Sequence, residues 1–226
     1  MALARWKDLC IDATDPGVLG RFWGAVLDLE IETQDNGDLV MRAAGEPGRT
    51  IWVNGVPEPK TAKHRVHPDL RIELDIVLDL GATVLRAPDD EVHWHVLADP
   101  EGGEFCVFEP APDPAGTFYE LVVATADPAA QSAWWADVLG GIARKQEDKP
   151  WRWVEDVPDL PFPFLVFTPV PEPKSVKNRW HWDVVCDDVD GLVAKGAAVL
   201  RKPDAEISWH VMTDPEGNEF CVFASS

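Results

Sequence analysis

Basic residues are scarce in this chain of 226 residues. Only 20 Lys and Arg stand against 40 Asp and Glu, which gives a formal net charge of −20. A polyanion is repelled by the phosphates of nucleic acid, and counterion release would need clustered cations that the sequence lacks. The same repulsion acts at an anionic membrane surface. We therefore expect neither nucleic acid nor a membrane as partner, and we interpret the acid excess as a charge that keeps the protein soluble.

Long apolar runs and paired cysteines are also missing. No apolar run approaches the roughly 20 residues that cross a bilayer, and the residues after Met1 lack the basic start and apolar core of a signal peptide. The four cysteines, Cys10, Cys106, Cys186 and Cys221, form neither CxxC pairs nor the dense framework of a small secreted domain. These absences predict a cytoplasmic protein with reduced thiols.

Three common catalytic signatures are absent as well. The sequence contains no Ser-His-Asp order, no phosphate-binding loop and no dinucleotide fingerprint, so it does not support a nucleophilic hydrolase or a nucleotide-dependent enzyme. The chain is nevertheless 46% hydrophobic and 27% charged, an ordinary globular mixture that can bury a core.

What the sequence does contain is a repeat of itself. Residues 94–108 (WHVLADPEGGEFCVF) and 209–223 (WHVMTDPEGNEFCVF) are identical at twelve of fifteen positions. Upstream segments match in the same order, including PEPK at 57–60 and at 171–174. We infer a duplicated domain, with copies at 1–112 and 117–226 and a proline-rich linker at 110–114.

In each copy the predicted order of elements is a strand, a helix and further strands, and this order occurs twice. Leu9 and Ile11 alternate with polar residues, the pattern of a half-buried strand. Asp15-Pro16 then predicts a helix start, and helical spacing follows at Leu19, Phe22, Trp23, Val26 and Leu27. Short strands are expected near 38–42, 50–54, 65–72, 82–86, 92–98 and 104–109, with a helix closing at Gly81. The pattern indicates an α+β fold.

This order of elements, together with the phrases KHRVHPDL and DPEGGEFCVF, strongly resembles the glyoxalase/bleomycin-resistance/dioxygenase superfamily, also called the vicinal-oxygen-chelate superfamily. The resemblance covers nearly the whole chain, twice, and is strongest to its glyoxalase-like domain group. It implies two tandem domains, each made of two βαβββ modules whose mixed sheet curls into a cup that holds a ligand. Two such domains can imitate a dimer, so a monomer and a homodimer are both compatible with the sequence.

Strand alternation predicts which side chains face each cup. The first copy should gather Asp8, His67, Glu104 and Cys106 in one cup. By the same parity, the second copy should gather Glu120, His181, Glu219 and Cys221. We expect the histidines and the first-strand carboxylates, His67, His181, Asp8 and Glu120, to be catalytic, and the remaining four to contact ligand.

The resemblance implies metal ligands on the first, fifth and last strands. Asp8 and Glu120 fall on the first-strand position, but cysteine replaces the last-strand glutamate of the metal enzymes. A divalent ion such as zinc, nickel or iron would be held by His67, Asp8 and Cys106 in one copy, and by His181, Glu120 and Cys221 in the other. The alternative, which the altered last strand favours, is a cup without metal, whose histidines are held by Asp69 and Asp183.

Two features vary around this shared pattern. Eleven tryptophans are many for this length, and Trp6, Trp52, Trp151 and Trp153 lack an obvious packing partner, so Trp52 and Trp153 are expected to stack on a ligand. Residues 150–164 differ from their counterpart in the first copy, which favours two cups with different ligands. Arg65 and Arg179 precede the strand histidines, where they either form structural ion pairs or contact an anionic substrate; pairing is the favoured alternative.

The sequence therefore predicts a protein that binds a small organic molecule in the sheet cup. One interpretation is a lyase, isomerase or dioxygenase-type enzyme, in which the histidines and carboxylates orient or deprotonate the substrate. The alternative is a non-catalytic binding protein of the bleomycin-resistance type. Glyoxalase I activity itself is not expected, because the metal-binding glutamate is missing. Fold resemblance alone does not decide between these classes.

Overall fold

The computed structural model describes residues 2–44, 49–110 and 117–225. The elements of the first half are β1 (Arg5–Ala13), α1 (Pro16–Leu27), β2 (Glu30–Thr33), β3 (Leu39–Arg42), β4 (Thr50–Gly55), β5 (Val66–Arg71), α2 (Leu74–Asp79), β6 (Thr83–Arg86), β7 (His95–Ala98) and β8 (Glu104–Phe108). Those of the second half are β9 (Phe118–Thr125), α3 (Pro128–Leu139), β10 (Ile142–Lys145), β11 (Arg152–Glu155), β12 (Phe164–Pro169), β13 (Trp180–Val185), α4 (Val189–Ala194), β14 (Ala198–Arg201), β15 (His210–Thr213) and β16 (Glu219–Phe223).

The first helix of each half begins as its sequence predicts. Asp15 accepts a hydrogen bond from the backbone N–H of Val18, and Asp127 accepts from those of Ala129 and Ala130. A proline in the first turn has no N–H to leave unpaired, so it suits this position. No helix within the described ranges is long and apolar enough to cross a bilayer.

One strand was not predicted. All four residues of β2, Glu30 to Thr33, are exposed, so their side chains show no alternation of buried and exposed positions. The strand forms because it pairs with β3 at the edge of the sheet. The linker predicted at 110–114 lies largely outside the described residues, as does the predicted end of the first copy at 112.

The strands form two curled, mixed sheets of eight strands each, and the predicted α+β class is confirmed. Sheet 1 has the order β14-β15-β16-β13-β1-β4-β3-β2, and sheet 2 has the order β10-β11-β12-β9-β5-β8-β7-β6. Each sheet therefore contains one βαβββ module from each half of the chain: the first and fourth modules form sheet 1, and the second and third form sheet 2.

This pairing corrects the predicted membership of the cups. The antiparallel partner of β1 is β13, with Cys10 opposite His181, and the antiparallel partner of β5 is β9, with Asp69 opposite Glu120. Asp8 consequently belongs with His181 and Cys221, whereas Glu120 belongs with His67 and Cys106. Alternation along a strand gives the face of each residue, but it carries no information about which strand lies next to it.

The hydrophobic core lies between the two sheets. Trp23 of α1 contacts Phe105 of sheet 2 and Trp180 of sheet 1, with ring centroids 5.2 and 5.1 Å apart. Trp135 of α3 makes the related contact with Trp182 at 4.9 Å. These rings are fully or almost fully buried. The helices thus hold the backs of the two sheets together, which leaves their curled inner faces for ligands.

Candidate functional site

The inner face of sheet 1, here called cup 1, encloses a cavity of about 520 Å³. Its lining residues belong to the first and the fourth βαβββ modules of the chain. The polar floor is formed by Cys10, His181, Asp183 and Cys221, and the wall includes Trp52, Trp209 and Phe223. Trp209 stacks on Phe223 with centroids 5.2 Å apart. A polar floor under aromatic walls is typical of a site for a small molecule.

Strand register brings the floor residues together. His181 and Asp183 are two residues apart on β13, so both side chains face the cup. Cys10 of β1 lies opposite His181 on one side, and Cys221 of β16 lies opposite Asp183 on the other. The Cys10 thiol donates to Asp183 Oδ1 at 3.5 Å. Of these four side chains, strand parity predicted His181 and Cys221 for a cup, whereas Cys10 and Asp183 were not predicted to line one.

Burial sets the protonation states on this floor. It raises the pKa of Asp183 to about 7, an effect that Lys7 partly offsets and Asp8 reinforces. It lowers the pKa of His181, so the imidazole is neutral at pH 7. It also raises the pKa of the Cys10 thiol, aided by the charge of Asp183. Nδ1 of His181 has no hydrogen-bond partner among the residues that the structure describes.

Asp8, the predicted first-strand catalytic residue, lies beside the cavity rather than in its lining. An irregularity in strand register between Trp6 and Leu9 displaces this part of β1. Lys7 lines the cavity instead, with its Nζ 4.5 Å from the Phe223 ring centroid. Asp8 pairs with Lys7 and accepts from Trp52 Nε1 at 3.2 Å. This carboxylate therefore positions a wall residue and a cation.

The inner face of sheet 2, cup 2, contains a different constellation. Asp69 lies opposite Glu120 of β9 and Cys106 of β8, while His67 Nε2 is 3.3 Å from Asp69 Oδ1. Burial, together with the charge of Asp69 and a hydrogen bond to it, raises the pKa of Glu120 to about 8. Because two buried carboxyls this close resist double ionisation, the pair retains a proton at neutral pH.

The cavity of cup 2 is smaller, and Glu120 is the one member of this constellation in its lining. Its volume is about 240 Å³, and its lining lies within residues 119–166, including Glu120, Trp151 and Trp153. His67, Asp69 and Cys106 are not part of that lining. Trp153 donates to Glu155 at 2.8 Å. Trp52 and Trp153, both predicted to contact ligand, thus occupy the walls of different cups.

Two groups of side chains have the composition of a metal site. In each group the ligand atoms lie within 4.8 Å of one another: Cys10, His181 and Asp183 in cup 1, and His67, Asp69 and Cys106 in cup 2. Thiol, imidazole and carboxylate together suit a borderline ion such as zinc. The predicted sets were wrong in their first-strand members, because Asp8 and Glu120 lie in the opposite cups. The group in cup 1 also takes its thiol from Cys10 rather than from the predicted Cys221. Asp69 and Asp183, expected only to support the histidines, supply the carboxylates.

Glu104 and Glu219 were predicted to contact ligand. Their carboxylates instead accept hydrogen bonds from the segments that precede β5 and β13. Glu104 accepts from Lys60 Nζ at 3.0 Å and from the backbone N–H of His64 at 2.8 Å. Glu219 accepts from Lys174 Nζ at 2.5 Å and from the N–H of Asn178 at 3.1 Å. These carboxylates hold the PEPK segments in place. The repetition of both motifs was the only sequence signal for this pairing.

Tryptophan packing also differs in part from the prediction. Trp6, expected to be available to a ligand, is 3% exposed and stacks on Trp182 with centroids 6.3 Å apart. The register irregularity after Trp6 turns this residue into the core. Trp52 is half-buried in the wall of cup 1, and its stacking on a ligand stays a prediction.

The architecture is shared with proteins of known structure. Glyoxalase I from Zea mays is 12% identical, with 97% of this chain and 92% of that chain covered and a TM-score of 0.65. A candidate dioxygenase from Bacillus subtilis subsp. subtilis str. 168 is 10% identical, with 99% and 86% covered and a TM-score of 0.66. At these identities the likeness establishes the fold alone.

Sequence comparison identifies the family. A search of curated proteins found no significant match. The model of the glyoxalase-like domain matches residues 8–108 and 120–223, which is most of the chain, once in each half. The chain therefore belongs to the glyoxalase-like domain family, as two tandem copies.

Proposed function

We propose that cup 1 binds a small organic molecule with neighbouring oxygens and catalyses proton transfer on it, as a lyase or isomerase. One observation carries the proposal: a neutral imidazole, His181, and a carboxyl with a pKa near 7, Asp183, share the floor of a cavity with aromatic walls. A general acid–base group works best when its pKa is close to the working pH. Perturbed groups that converge in a cleft favour a catalytic function.

The proposed chemistry uses both groups. Ionised Asp183 accepts a proton from a carbon next to a carbonyl, and the neutral imidazole of His181 donates a hydrogen bond to the carbonyl oxygen as negative charge develops there. In a substrate with a hydroxyl on the first carbon, the proton then returns from Asp183 to the former carbonyl carbon, while the hydroxyl proton moves to the former carbonyl oxygen, which completes an isomerisation. Trp52, Trp209 and Phe223 would stack on the substrate and exclude water, which strengthens both interactions.

A divalent ion is compatible with the same floor. Cys10, His181 and Asp183 would hold it, and when bound it would supply Lewis-acid polarisation of the substrate oxygens. We favour the floor without metal, because cysteine replaces the last-strand glutamate that the metal enzymes of the superfamily use as a ligand. Elemental analysis of untagged protein purified without chelator tests this choice. Near-stoichiometric zinc, nickel or iron that is lost in the His67→Ala/His181→Ala variant would overturn the metal-free proposal and indicate a metal site.

Exchange of substrate protons with solvent tests the reaction without requiring its product to be known. The protein is incubated in D₂O with a panel of 2-oxo acids, hydroxyketones and 1,2-dicarbonyls, and the loss of C–H signals is followed by NMR. We expect catalysed exchange for at least one compound class, and its loss in His181→Gln with the fold intact. A compound that binds to both proteins without exchange would instead indicate a sequestering protein.

We also propose a monomer. The two halves complete both cups within one chain, so a second copy is not needed to build either site. Light scattering after size exclusion should therefore give a mass near 25.0 kDa. A mass of twice that value would indicate a homodimer.

A further inference from the structure

A third cavity lies outside both cups, where the chain crosses between the sheets. Its volume is about 640 Å³. Residues 56–65, which lead from β4 of sheet 1 to β5 of sheet 2, line one side. Residues 176–179, which lead from β12 back to β13, line the other, together with Asp12. We call it the crossover cavity.

The crossover cavity concentrates positive charge in a chain whose net charge is −20. Five of its lining residues are cations: Lys60, Lys63, Arg65, Lys177 and Arg179. The two acids in the lining are Asp12 and Glu58. Such a local reversal of charge in a polyanion attracts anions to one place and repels them elsewhere.

Three of these cations have a carboxylate partner. Lys60 pairs with Glu104 at 3.0 Å, Lys177 with Asp12 at 2.6 Å, and Arg179 with Glu101 at 3.1 Å. Within the described parts of the chain, no ion pair involves Lys63 or Arg65. Arg65 donates only to the carbonyl oxygens of Glu172 and Ala124. These bonds fix the guanidinium but leave its charge uncompensated.

A substitution between the two copies explains the unpaired lysine. Lys63 and Lys177 are equivalent, 114 positions apart like the two PEPK motifs. The partner of Lys177 is Asp12 on β1, and the equivalent position on β9 is Ala124, which pairs with β12 as Asp12 pairs with β4. The second copy therefore lacks the acid that would neutralise Lys63.

Unpartnered polar atoms beside these cations indicate where a ligand would bind. His64 is 9% exposed, and neither of its ring nitrogens has a partner among the described residues. The buried Nε of Arg65 likewise has none. At the position equivalent to His64, Asn178 donates from Nδ2 to Asn218 Oδ1 at 3.1 Å. Buried polar groups without partners are uncommon, and a bound water or ion is one recognised reason for them.

We propose that the crossover cavity binds a small oxyanion with at least two negative charges, such as a phosphate or a dicarboxylate. Arg65 and Lys63 would supply the charge, with Arg65 held in advance by its two carbonyl contacts, and His64 would supply a further hydrogen bond. Guanidinium and oxyanion form charge-assisted hydrogen bonds, the strong class. This site is independent of the chemistry proposed for cup 1.

Calorimetric titration of the full chain tests the site with two probes, inorganic phosphate and malonate, at low ionic strength. We expect saturable binding of at least one probe. Phosphate alone would indicate a phosphoryl ligand, and malonate alone a carboxylate ligand. Lys63→Gln, at an exposed position, should weaken binding about tenfold without affecting the fold. Lys202→Gln removes the same charge from an exposed site outside the cavity and should leave affinity unchanged.

The acid that the second copy lacks offers a second and sharper variant. Ala124→Asp places in the second copy the acid that Asp12 provides in the first, so it should weaken binding at least as much as Lys63→Gln while every cation remains. Asp12→Asn releases Lys177 and should strengthen binding several-fold. The absence of binding by the wild-type chain, or an equal loss in Lys202→Gln, would overturn the proposal.

Discussion

The two cups derive from one duplicated ancestor, yet they offer different chemistry. Cup 1 has a cavity of about 520 Å³ that reaches its His-Asp-Cys group, whereas cup 2 has one of about 240 Å³ that does not reach the equivalent group. On its first strand, cup 1 places Cys10 beside Asp183, and cup 2 places Glu120 beside Asp69. The difference between the cups therefore lies in the partner of a shared aspartate and in access to it.

This comparison shows how a duplication can separate roles. The shared residues, a histidine and an aspartate on the central strand and a cysteine on the last, occur in both cups. Arg71 stacks on Tyr119 in cup 2, with the guanidinium 3.5 Å from the ring centroid, where cup 1 has Val185 and Lys7. We infer that cup 1 is the better candidate for turnover. The main effect of the carboxyl pair of cup 2 is to lower the stability of the folded protein.

The largest expected effect separates the two aspartates. Asp183→Asn removes the proposed base and should lower the rate of solvent exchange by about 10²- to 10⁴-fold. The matched variant Asp69→Asn alters cup 2 alone and should leave that rate within about threefold. NMR exchange rates on the same compound measure both. Equal losses in the two variants would contradict the assignment of turnover to cup 1.

The next effect concerns stability and pH. The pKa of Glu120 rises from 4.5 to about 8 on folding, so the folded state holds a proton that the unfolded chain releases, and stability falls as pH rises through this window. Glu120→Gln should therefore match the wild type at pH 4 and exceed it at pH 8 by about 2–4 kcal/mol. Urea unfolding across this range measures the difference.

Asp183→Asn supplies the matched control for that series. The pKa of Asp183 rises from 3.8 to about 7 on folding. The gain in the free energy of unfolding of Asp183→Asn over the wild type should therefore also grow with pH, but it should level off near pH 7 rather than near pH 8. Identical pH profiles for the two variants would show that the carboxyl pair of cup 2 does not retain its proton as described.

These variants depend on knowledge that the sequence supplied only in part. The repeat and its motifs indicated the family, and strand parity predicted His67, His181 and Cys221 for inner faces. Strand parity did not predict which residues share a cup. The pairing of β1 with β13 rather than with β5 is a long-range contact that leaves no periodic pattern in the sequence. The predicted environments of Asp8 and Trp6 were also wrong, because an irregularity in the register of β1 shifts both residues. The roles of Glu104 and Glu219 depended on contacts with a segment 40 residues or more away.

A smaller effect distinguishes the aromatic walls. Trp52→Ala removes a stacking surface from cup 1 and should weaken binding of a cup 1 ligand about five- to tenfold. Trp153→Ala in cup 2 should change that affinity by less than about twofold. Titration of the exchanging compound, followed by intrinsic fluorescence or calorimetry, provides both values. A larger loss in Trp153→Ala would move the binding site to cup 2.

The smallest effect is on thiol reactivity. Burial raises the pKa of Cys10, Cys106 and Cys221, and the thiolate is the reactive form. An aromatic disulfide reagent at pH 7.5 should label less than about one thiol in the native chain, and all four after unfolding in urea. A ligand of cup 1 should slow any residual labelling of Cys10 and Cys221 but not that of Cys106. Rapid native labelling of Cys10 would contradict the protonated floor.

The most direct test of the account is the identity of the strand beside β1, since the composition of both cups follows from it. Backbone NOEs in isotopically labelled protein report the neighbours of Leu9, Cys10 and Ile11. The account predicts cross-strand NOEs to residues 180–182 of β13, where Cys10 lies opposite His181. NOEs from the same residues to 66–71 of β5 would mean that each copy closes its own cup, and would contradict the sites described for both.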